Sequence, residues 1–359
     1  MMSDSGSKDS LRLANFRAPR AMLARVADAS YWMSRYVERA EHIARVLLVS
    51  SDVLTGAGDM DERFARETAC DVLRITQRDH MFSELAPLNR TPSQAMAAVA
   101  HYMALDADNP NSLINCLSKS RENARSIRES ISAEMWEHLN TFYWSFKADD
   151  AQARFDDSPQ EFFRAVMSGS LLMQGLVDQT MDHGQVWLFI QLSKYLERVD
   201  MTCRILSAKI RTLTKFDSSL DAPLLIIQWM AVLRACCSIE AYRRVNLGDL
   251  EPSRVAGFIV YEPTFPRSVH FCVRHALEAV ERIRTLLSAD TGREVQRRLG
   301  RLFADLQYSQ TAPSSSEELL VFLEEIRLSN ADAAAAVQEQ WFLHSGDQNG
   351  GTNGSFKEF

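Results

Sequence analysis

The sequence predicts an all-α protein, and three observations point to this fold class. Glycine and proline, the residues that most often interrupt helices, make up only 14 and 10 of the 359 residues. Apolar residues recur every three to four positions along most of the chain, which is the period of a helix. No segment alternates apolar and polar residues as a half-buried strand does. We therefore expect about eleven helices, packed into one helical-bundle domain.

Capping residues predict where several of these helices begin. Thr91-Pro92-x-Gln94 and Ser158-Pro159-x-Glu161 each combine a capping side chain, a proline in the first helical position and a reciprocal capping partner. Asn109-Pro110 and Phe265-Pro266 predict two further helix starts. At the chain ends, residues 1–21 and 345–359 are polar and without periodicity, and we expect both to be disordered. The helical domain is therefore predicted over residues 22–344.

Charge and composition argue against several functional classes. A formal net charge of −7 argues against general binding of nucleic acid. The densest arginine cluster is predicted to be the solvated face of one helix; it contains Arg293, Arg297, Arg298 and Arg301. The longest apolar run, 222–233, is too short to cross a bilayer, and the N-terminal residues do not resemble a secretory signal. The six cysteines contain no Cys-x-x-Cys pair. We expect a soluble, cytoplasmic protein without a membrane partner.

The chain contains two similar helical segments. Residues 32–47 read WMSRYVERAEHIARVL and residues 191–206 read QLSKYLERVDMTCRIL, with six of sixteen positions identical at an offset of 159. Each segment contains Tyr-x-Glu-Arg. A second pair follows in the same order, residues 110–133 and 266–289, with eight of twenty-four positions identical at an offset of 156. Two collinear matches predict an internal duplication, with halves at about 23–148 and 183–300 related by a pseudo-twofold axis.

The candidate site residues lie on the two Tyr-x-Glu-Arg helices. Each helical residue advances by about 100° around the axis. The two acidic residues and the last arginine of each segment therefore form one narrow stripe. The arginine of the Glu-Arg dipeptide and the tyrosine lie beside this stripe. The positions are Tyr36, Glu38, Arg39, Glu41 and Arg45 in the first segment and Tyr195, Glu197, Arg198, Asp200 and Arg204 in the second.

Three interpretations of this stripe stay open. The charges can face water, as on any amphipathic helix, with Glu41–Arg45 and Asp200–Arg204 as ion pairs one turn apart. They can instead lie in the interior as a structural clasp between the halves, since buried charges need partners. They can also line a pocket for a charged ligand or substrate. In a pocket, Glu38 or Glu197 is the candidate for acid–base catalysis.

Metal and cofactor chemistry is not expected. Helical di-iron proteins use Glu-x-x-His motifs, and this sequence contains none. The arginines of the stripe would repel a cation. The chain also has no phosphate-binding glycine loop, no His-Glu-x-x-His and no Gly-x-Ser-x-Gly. We therefore predict no metal and no cofactor.

Several segments resemble a known bacterial family. The run MLARVADASYWMSRYVERAEHIARVL from residue 22 and the run KYLERVDMTCRIL from residue 194 resemble the Alpha-E family, also called domain of unknown function 403. Its Glu-Arg motif is matched by Glu38-Arg39 and Glu197-Arg198. The segments RENARSIRESISAEMWEHLN, EAYRRV and FPRSV are also similar, so the resemblance covers about residues 22–340.

The resemblance implies a functional context but no reaction. Genes of this family typically neighbour those for circularly permuted ATP-grasp ligases, transglutaminase-like proteins and proteasome-like peptidases. This implies a helical partner or substrate-positioning subunit in a system that synthesises or modifies a peptide, with the ATP-grasp and transglutaminase-like proteins as possible partners. The alternative is a stand-alone enzyme whose paired Glu-Arg motifs act on a small peptide or amino-acid-like carboxylate.

Overall fold

A computed structural model describes residues 24–56, 62–216, 222–246, 250–287, 290–309, 313 and 315–343. The terminal segments predicted to be disordered, 1–21 and 345–359, lie outside these described residues. The described chain is all-helical and has no strand. It contains fifteen α-helices: α1 Ala24–Gly56, α2 Glu62–Ile75, α3 Phe82–Leu85, α4 Pro92–Ala104, α5 Leu113–Ser126, α6 Ala133–Lys147, α7 Ala151–Asp157, α8 Pro159–Thr180, α9 Gln185–Lys215, α10 Ala222–Ala235, α11 Ile239–Val245, α12 Pro252–Tyr261, α13 Val269–Leu287, α14 Arg293–Tyr308 and α15 Ser316–Val337.

The expected number of eleven helices was too low. Four helices in the described chain have ten or fewer residues, namely α3, α7, α11 and α12. A helix of one to three turns has too few positions to establish a 3.6-residue period. Single helical turns also lie at Asp79–Met81, at Arg128–Ser130 and, in a wider π-helical form, at Gln338–Phe342.

Two of the predicted helix starts are confirmed and two are wrong. Thr91 caps α4 with a complete capping box, and the Ser158 side chain accepts a hydrogen bond from the backbone N–H of Glu161 at the start of α8. The prolines at 110 and 266 lie in turns just before α5 and α13. The actual capping side chains are Ser112, which accepts from the N–H of Asn115, and Ser268, which accepts from the N–H of Phe271.

The two longest helices lie at the centre of the molecule. α1 and α9 pack against each other, α1 also packs against α5 and α8, and α9 also packs against α13 and α15. α2, which follows α1 in the chain, contacts α9, and α10, which follows α9, contacts α1. Each central helix is therefore also contacted by the helix that follows the other one. Apolar side chains of both parts meet in one large core cluster; it includes Met33, Leu47, Val199 and Leu206. This packing brings the two Tyr-x-Glu-Arg segments face to face.

Two surface predictions concern described residues. On α14, Arg293 and Arg297 are 69% and 68% exposed and Arg301 is also exposed, as predicted for a solvated face, whereas Arg298 is only 32% exposed and bonds to the Asp332 carbonyl. Within the described chain, no single helix has the length and apolarity that a membrane crossing requires. The consecutive helices over Leu224–Ala235 and Ile239–Val245 reach that length and composition only together, and they are bent by 112°.

The cysteines are all in the described part of the chain, and all six are free thiols. Five are buried, and Cys237 is partly exposed. Burial raises the pKa of each thiol, to about 12 for Cys236 and Cys272. A buried thiol with a raised pKa is a small apolar core residue rather than a nucleophile.

Gly292 is the glycine whose replacement has the clearest expected cost. It caps α14 with a φ of 73°, in the left-handed region, and a Cβ there would collide with the Trp341 ring. We expect Gly292→Ala to lower the free energy of unfolding by about 1–3 kcal/mol. Gly300 lies inside α14, and no neighbouring atom lies within 4 Å of the place that an alanine methyl group would occupy, so Gly300→Ala should stabilise the protein by about 0.5–1 kcal/mol. Urea unfolding of the two variants checks both signs, and equal effects would contradict the steric explanation.

Candidate functional site

The two Glu-Arg dipeptides are buried where α1 and α9 pack against each other. The side chains of Glu38 and Glu197 are 1% and 0% exposed. The interpretation of the stripe as a solvated face is therefore wrong for these two glutamates. The reason is that α1 and α9 each cover the polar face of the other helix. The residue pattern of a single helix does not reveal such a contact.

Glu197 of α9 is held by two arginines of α1. Arg39 donates from Nε at 2.7 Å and from Nη2 at 3.2 Å to the two carboxylate oxygens. Arg35 donates from Nε at 2.6 Å and also donates from Nη1 to the Tyr31 hydroxyl at 2.6 Å. Arg39 reaches further to Asn111 Oδ1 at 3.2 Å. Both oxygens of Glu197 are therefore engaged by guanidinium groups.

Glu38 of α1 is held in the reciprocal way by α9. Arg198 donates from Nε at 2.6 Å and from Nη2 at 3.3 Å to its two oxygens. Gln174 of α8 donates to Glu38 Oε2 at 2.7 Å and accepts from Arg198 at 2.8 Å. Each glutamate thus pairs with the arginine that follows the other glutamate, so the two motifs exchange partners across the α1–α9 contact.

A third carboxylate extends the network along α1. Glu41 is paired with Arg45 one turn later and with Arg267, whose Nη1 lies at 2.9 Å. Arg267 precedes α13 and also lies 3.7 Å from Glu38. On α9, Asp200 and Arg204 form the equivalent pair at 2.8 Å. The two predicted pairs one turn apart are both present.

His42 lies within this network as a neutral side chain. Its Nδ1 lies 2.9 Å from the backbone carbonyl of Glu38, and its Nε2 lies 3.3 Å from Arg267 Nη1. An N–H on Nδ1 and a lone pair on Nε2 satisfy both contacts. Burial lowers the pKa of His42, and the charge of Arg267 adds to this effect, although the neighbouring glutamates oppose it.

The two tyrosines lie beside the arginines of the motifs. The guanidinium carbon of Arg39 is 5.8 Å from the Tyr36 ring centre, and that of Arg198 is 6.0 Å from the Tyr195 ring centre. Lys119 of α5 lies 5.3 Å from the Tyr36 ring, and His275 of α13 stacks on Tyr195 with 5.3 Å between ring centres. The rings shield the ion pairs from water and contribute cation–π attraction.

The electrostatics keep both glutamates ionised and weakly basic. Burial by itself raises the pKa of the Glu197 carboxyl group, but the charges of Arg39 and Arg35 outweigh burial and lower that pKa to about 2. For Glu38, burial is outweighed by Arg198 and Arg267, so its pKa is also lowered. A general acid or base works best with a pKa near the operating pH. These glutamates are poorly suited to proton transfer.

Three groups of this network have the spacing of a metal site, but their partners do not suit a cation. One ligand atom each from Glu38, Glu41 and His42 lies within 4.8 Å of the others. The same carboxylate oxygens accept hydrogen bonds from Arg198, Arg267 and Arg45. A metal would have to displace these guanidiniums and then lie among three positive charges. The absence of a metal stays a prediction, now supported by the chemistry of this donor set.

Sequence reasoning missed several members of the network. These are Arg35, His42, Gln174 and Arg267. The available signal for Arg267 was its place in the second pair of similar segments, where it matches Asn111 after a shared proline. Both residues contact the network, Asn111 through Arg39 and Arg267 through Glu41. Gln174 carried no signal, because α8 belongs to neither pair of segments.

A cavity lies beside Glu38, between α1, α8 and α9. The space in and in front of it is about 340 Å³ and includes open solvent, whereas the part that water-sized groups can occupy is about 20 Å³. Its wall is mainly apolar and contains few polar groups; the lining residues are Met33, Ser34, Val37, Glu38, Met173, Gln174, Val177, Ile190, Gln191 and Lys194. Of the ten predicted site residues, Glu38 alone lines this cavity.

The fold and the site together define a class of helical protein. Its two long central helices each carry a Glu-Arg dipeptide, and the two dipeptides exchange buried ion pairs. The chain belongs to the Alpha-E family, described as "A predicted alpha-helical domain with a conserved ER motif", which it matches over residues 22–342. The predicted family resemblance is therefore confirmed.

The similar curated proteins carry no assigned function. The chain is 26% identical over 260 residues to the uncharacterized protein Rv2567 of Mycobacterium tuberculosis and to the uncharacterized protein Mb2597 of Mycobacterium bovis. The matched region covers 68% of this chain but only 28% of each relative. The chain thus spans less than a third of the length of these relatives. No solved structure matches the chain significantly.

Proposed function

We propose that this chain is a non-catalytic helical partner, or substrate-positioning subunit, of an ATP-grasp-associated system that synthesises or modifies a peptide. The single observation that carries the non-catalytic part is the saturation of Glu38 and Glu197 by arginines inside the protein. A carboxylate whose two oxygens both accept from guanidiniums, and whose pKa is lowered by them, is a weak acceptor for a substrate proton. In this proposal the Glu-Arg motif is a clasp that holds α1 against α9.

We further propose that the clasp joins two duplicated halves. The exchange of partners between Glu38–Arg198 and Glu197–Arg39 is the pattern that a twofold relation produces, in which residue i contacts j and j contacts i. The helix ends support the same relation. Gln77 after α2 and Cys237 after α10, 160 residues apart, are the two non-glycine residues with positive φ in the described chain, at 58° and 56°.

The association with an ATP-grasp enzyme rests on the family. Alpha-E genes neighbour those of ATP-grasp and transglutaminase-like proteins, and ATP-grasp enzymes supply the acyl activation that peptide synthesis needs. The length of the mycobacterial relatives agrees with this role, because most of each relative lies outside the matched region. A domain that is joined to a larger protein in one organism is a reasonable candidate for a subunit in another.

Co-expression with a circularly permuted ATP-grasp protein from the same organism tests the proposal. We expect the two proteins to co-purify through size-exclusion chromatography, and we expect ATP turnover by the ATP-grasp protein to change when this chain is added. The same assay with a helical protein of similar size and charge controls for crowding. Absence of a complex together with unchanged turnover would rule out the partnership.

The second candidate is a stand-alone enzyme that uses the paired Glu-Arg motifs. The cavity beside Glu38 favours it, because a substrate there would approach one motif. The lowered pKa values of both glutamates oppose it. The variant Glu38→Gln, checked for folding by circular dichroism, distinguishes the two candidates. If the folded variant turns over the peptide or amino-acid-like substrate as fast as the parent protein, acid–base catalysis by Glu38 is excluded. If it loses that turnover but still forms the complex with the ATP-grasp protein, the enzyme is supported.

A further inference from the structure

Lys194 is a buried cation in the cavity beside Glu38. Its residue is 8% exposed, and it lies on α9 four residues before Arg198. Its ammonium group is 4.7 Å from the centre of the Tyr195 ring. Among the described residues it has no ion pair with a carboxylate, although Asp178 and Glu38 are close enough to act on it electrostatically. The side chain as a whole is buried while its ammonium still reaches solvent, and a charge in such a place is stabilised by an anionic partner.

The other polar groups of the cavity wall are already engaged. Ser34 donates to the backbone carbonyl of Ile190 at 3.0 Å, and Gln191 donates to Asp178 at 2.9 Å. Gln174 bridges Glu38 and Arg198 through both ends of its amide. Lys194 is therefore the one polar lining group that lacks a hydrogen-bond partner within the described chain, while the remaining wall is apolar.

The local charge balance is positive. Glu38 and Glu41 face Arg45, Arg198 and Arg267, and Lys194 is acted on by Asp178 and Glu38, so four cations stand against three carboxylates. His42 adds no compensating charge, because burial keeps it neutral. Burial, together with the charge of Arg198, lowers the pKa of Lys194 to about 8, against the opposing effects of Asp178, Glu38 and Cys272. At neutral pH the amine still carries its proton for most of the time, and an anion beside it would be stabilised.

The matching position on α1 indicates what is missing at Lys194. At the offset of 159, Lys194 matches Arg35 and Ile190 matches Tyr31. Arg35 reaches both Glu197 and the Tyr31 hydroxyl at 2.6 Å. On α9, the shorter lysine and the isoleucine provide neither contact. Arg35 and Tyr31 fill their space on α1. At the matching positions on α9, Lys194 and Ile190 leave space that contributes to the cavity.

We propose that this cavity binds a small carboxylate with a short apolar chain. The carboxylate group pairs with the Lys194 ammonium, and the chain lies against the apolar wall formed by α1 and α8. Met33 and Met173 line that wall, and their flexible side chains must move aside to admit the chain of the ligand. Binding requires neither an ATP-grasp partner nor proton transfer by Glu38, so it can be tested on the isolated chain.

Saturation-transfer NMR with butanoate tests the site, using butanamide as the neutral analogue and inorganic phosphate as an anion without an apolar chain. We expect butanoate to bind with a roughly millimolar dissociation constant. Butanamide should bind at least about ten times more weakly, because it lacks the charge that pairs with the ammonium. Displacement of butanoate by equimolar phosphate would show a general anion site and overturn the proposal.

Two variants and a matched control assign the binding to this cavity. Lys194→Met should abolish butanoate binding, and so should Val177→Phe, which fills the cavity and keeps the ammonium. Lys209→Met is the control, because Lys209 is also a partly buried lysine of α9 but pairs with Asp71 away from this cavity. Circular dichroism establishes that each variant is folded. Undiminished butanoate binding in a folded Lys194→Met or Val177→Phe variant would overturn the proposal.

Discussion

Replacing Glu197 with glutamine is expected to lower the free energy of unfolding by about 3–5 kcal/mol, because it leaves two buried guanidiniums without their anion. Arg35 is 9% exposed in its side chain and Arg39 is 23% exposed, so neither can be fully hydrated without moving apart from α9. Glutamine keeps the size of the side chain and one acceptor oxygen. The loss therefore reports the charge rather than a cavity.

Urea unfolding at pH 7, followed by circular dichroism, measures this loss. The matched control is Glu294→Gln on α14, whose partners Arg297 and Arg298 are 68% and 32% exposed. Exposed ion pairs contribute little to stability because water and salt screen them, so the control should be indistinguishable from the parent protein. Equal unfolding midpoints for the two variants would mean that the Glu-Arg motif does not act as a clasp.

Acidification should destabilise the protein through the same carboxylates, and Glu197 alone should contribute about 3 kcal/mol. The pKa of Glu197 is lowered from 4.5 to about 2 in the folded protein. Its contribution is therefore fully present above pH 4.5 and is lost as the pH falls from 4.5 towards 2. Glu38 and Glu41 have lowered pKa values as well and act in the same direction.

Two other buried groups modify this pH profile. Burial lowers the pKa of His42 below 6.5, so its contribution is also lost on acidification, beginning at a higher pH. Asp71 has the opposite sign, because burial raises its pKa and protonation relieves the cost of a buried charge. The sum still favours loss of stability in acid, since three glutamates and one histidine outnumber one aspartate.

Urea unfolding midpoints at several pH values between 7 and 3 measure the profile. Glu197→Gln provides the internal comparison, because it lacks the titrating group but keeps the other four. We expect the difference in unfolding free energy between parent and variant to be constant above pH 5 and to shrink below it. A difference that does not change with pH would show that the pKa of Glu197 is the same in the folded and the unfolded protein, and would contradict the prediction.

The helical class and the repeated segments could be read from the sequence because they depend on local features. Helix formation follows from apolar periodicity and from capping residues such as Thr91 and Ser158, whose partners lie three positions away. The Glu-Arg segments were visible through their similarity at a fixed offset. The short helices gave too few turns to show a period, and the helix starts after Pro110 and Pro266 were misjudged because the capping serine lies two residues after each proline.

The sequence by itself determined that this protein is helical and which family it resembles, and it predicted ten charged and aromatic residues as one candidate site. Only the tertiary structure decided that Glu38 pairs with Arg198 rather than with its neighbour Arg39, that Arg267 and Gln174 complete the network, and that Lys194 lines a cavity without an anionic partner. The physical reason is distance along the chain. Contacts such as Glu38–Arg198 join residues 160 positions apart, and their formation depends on how α1 and α9 pack rather than on either helix alone.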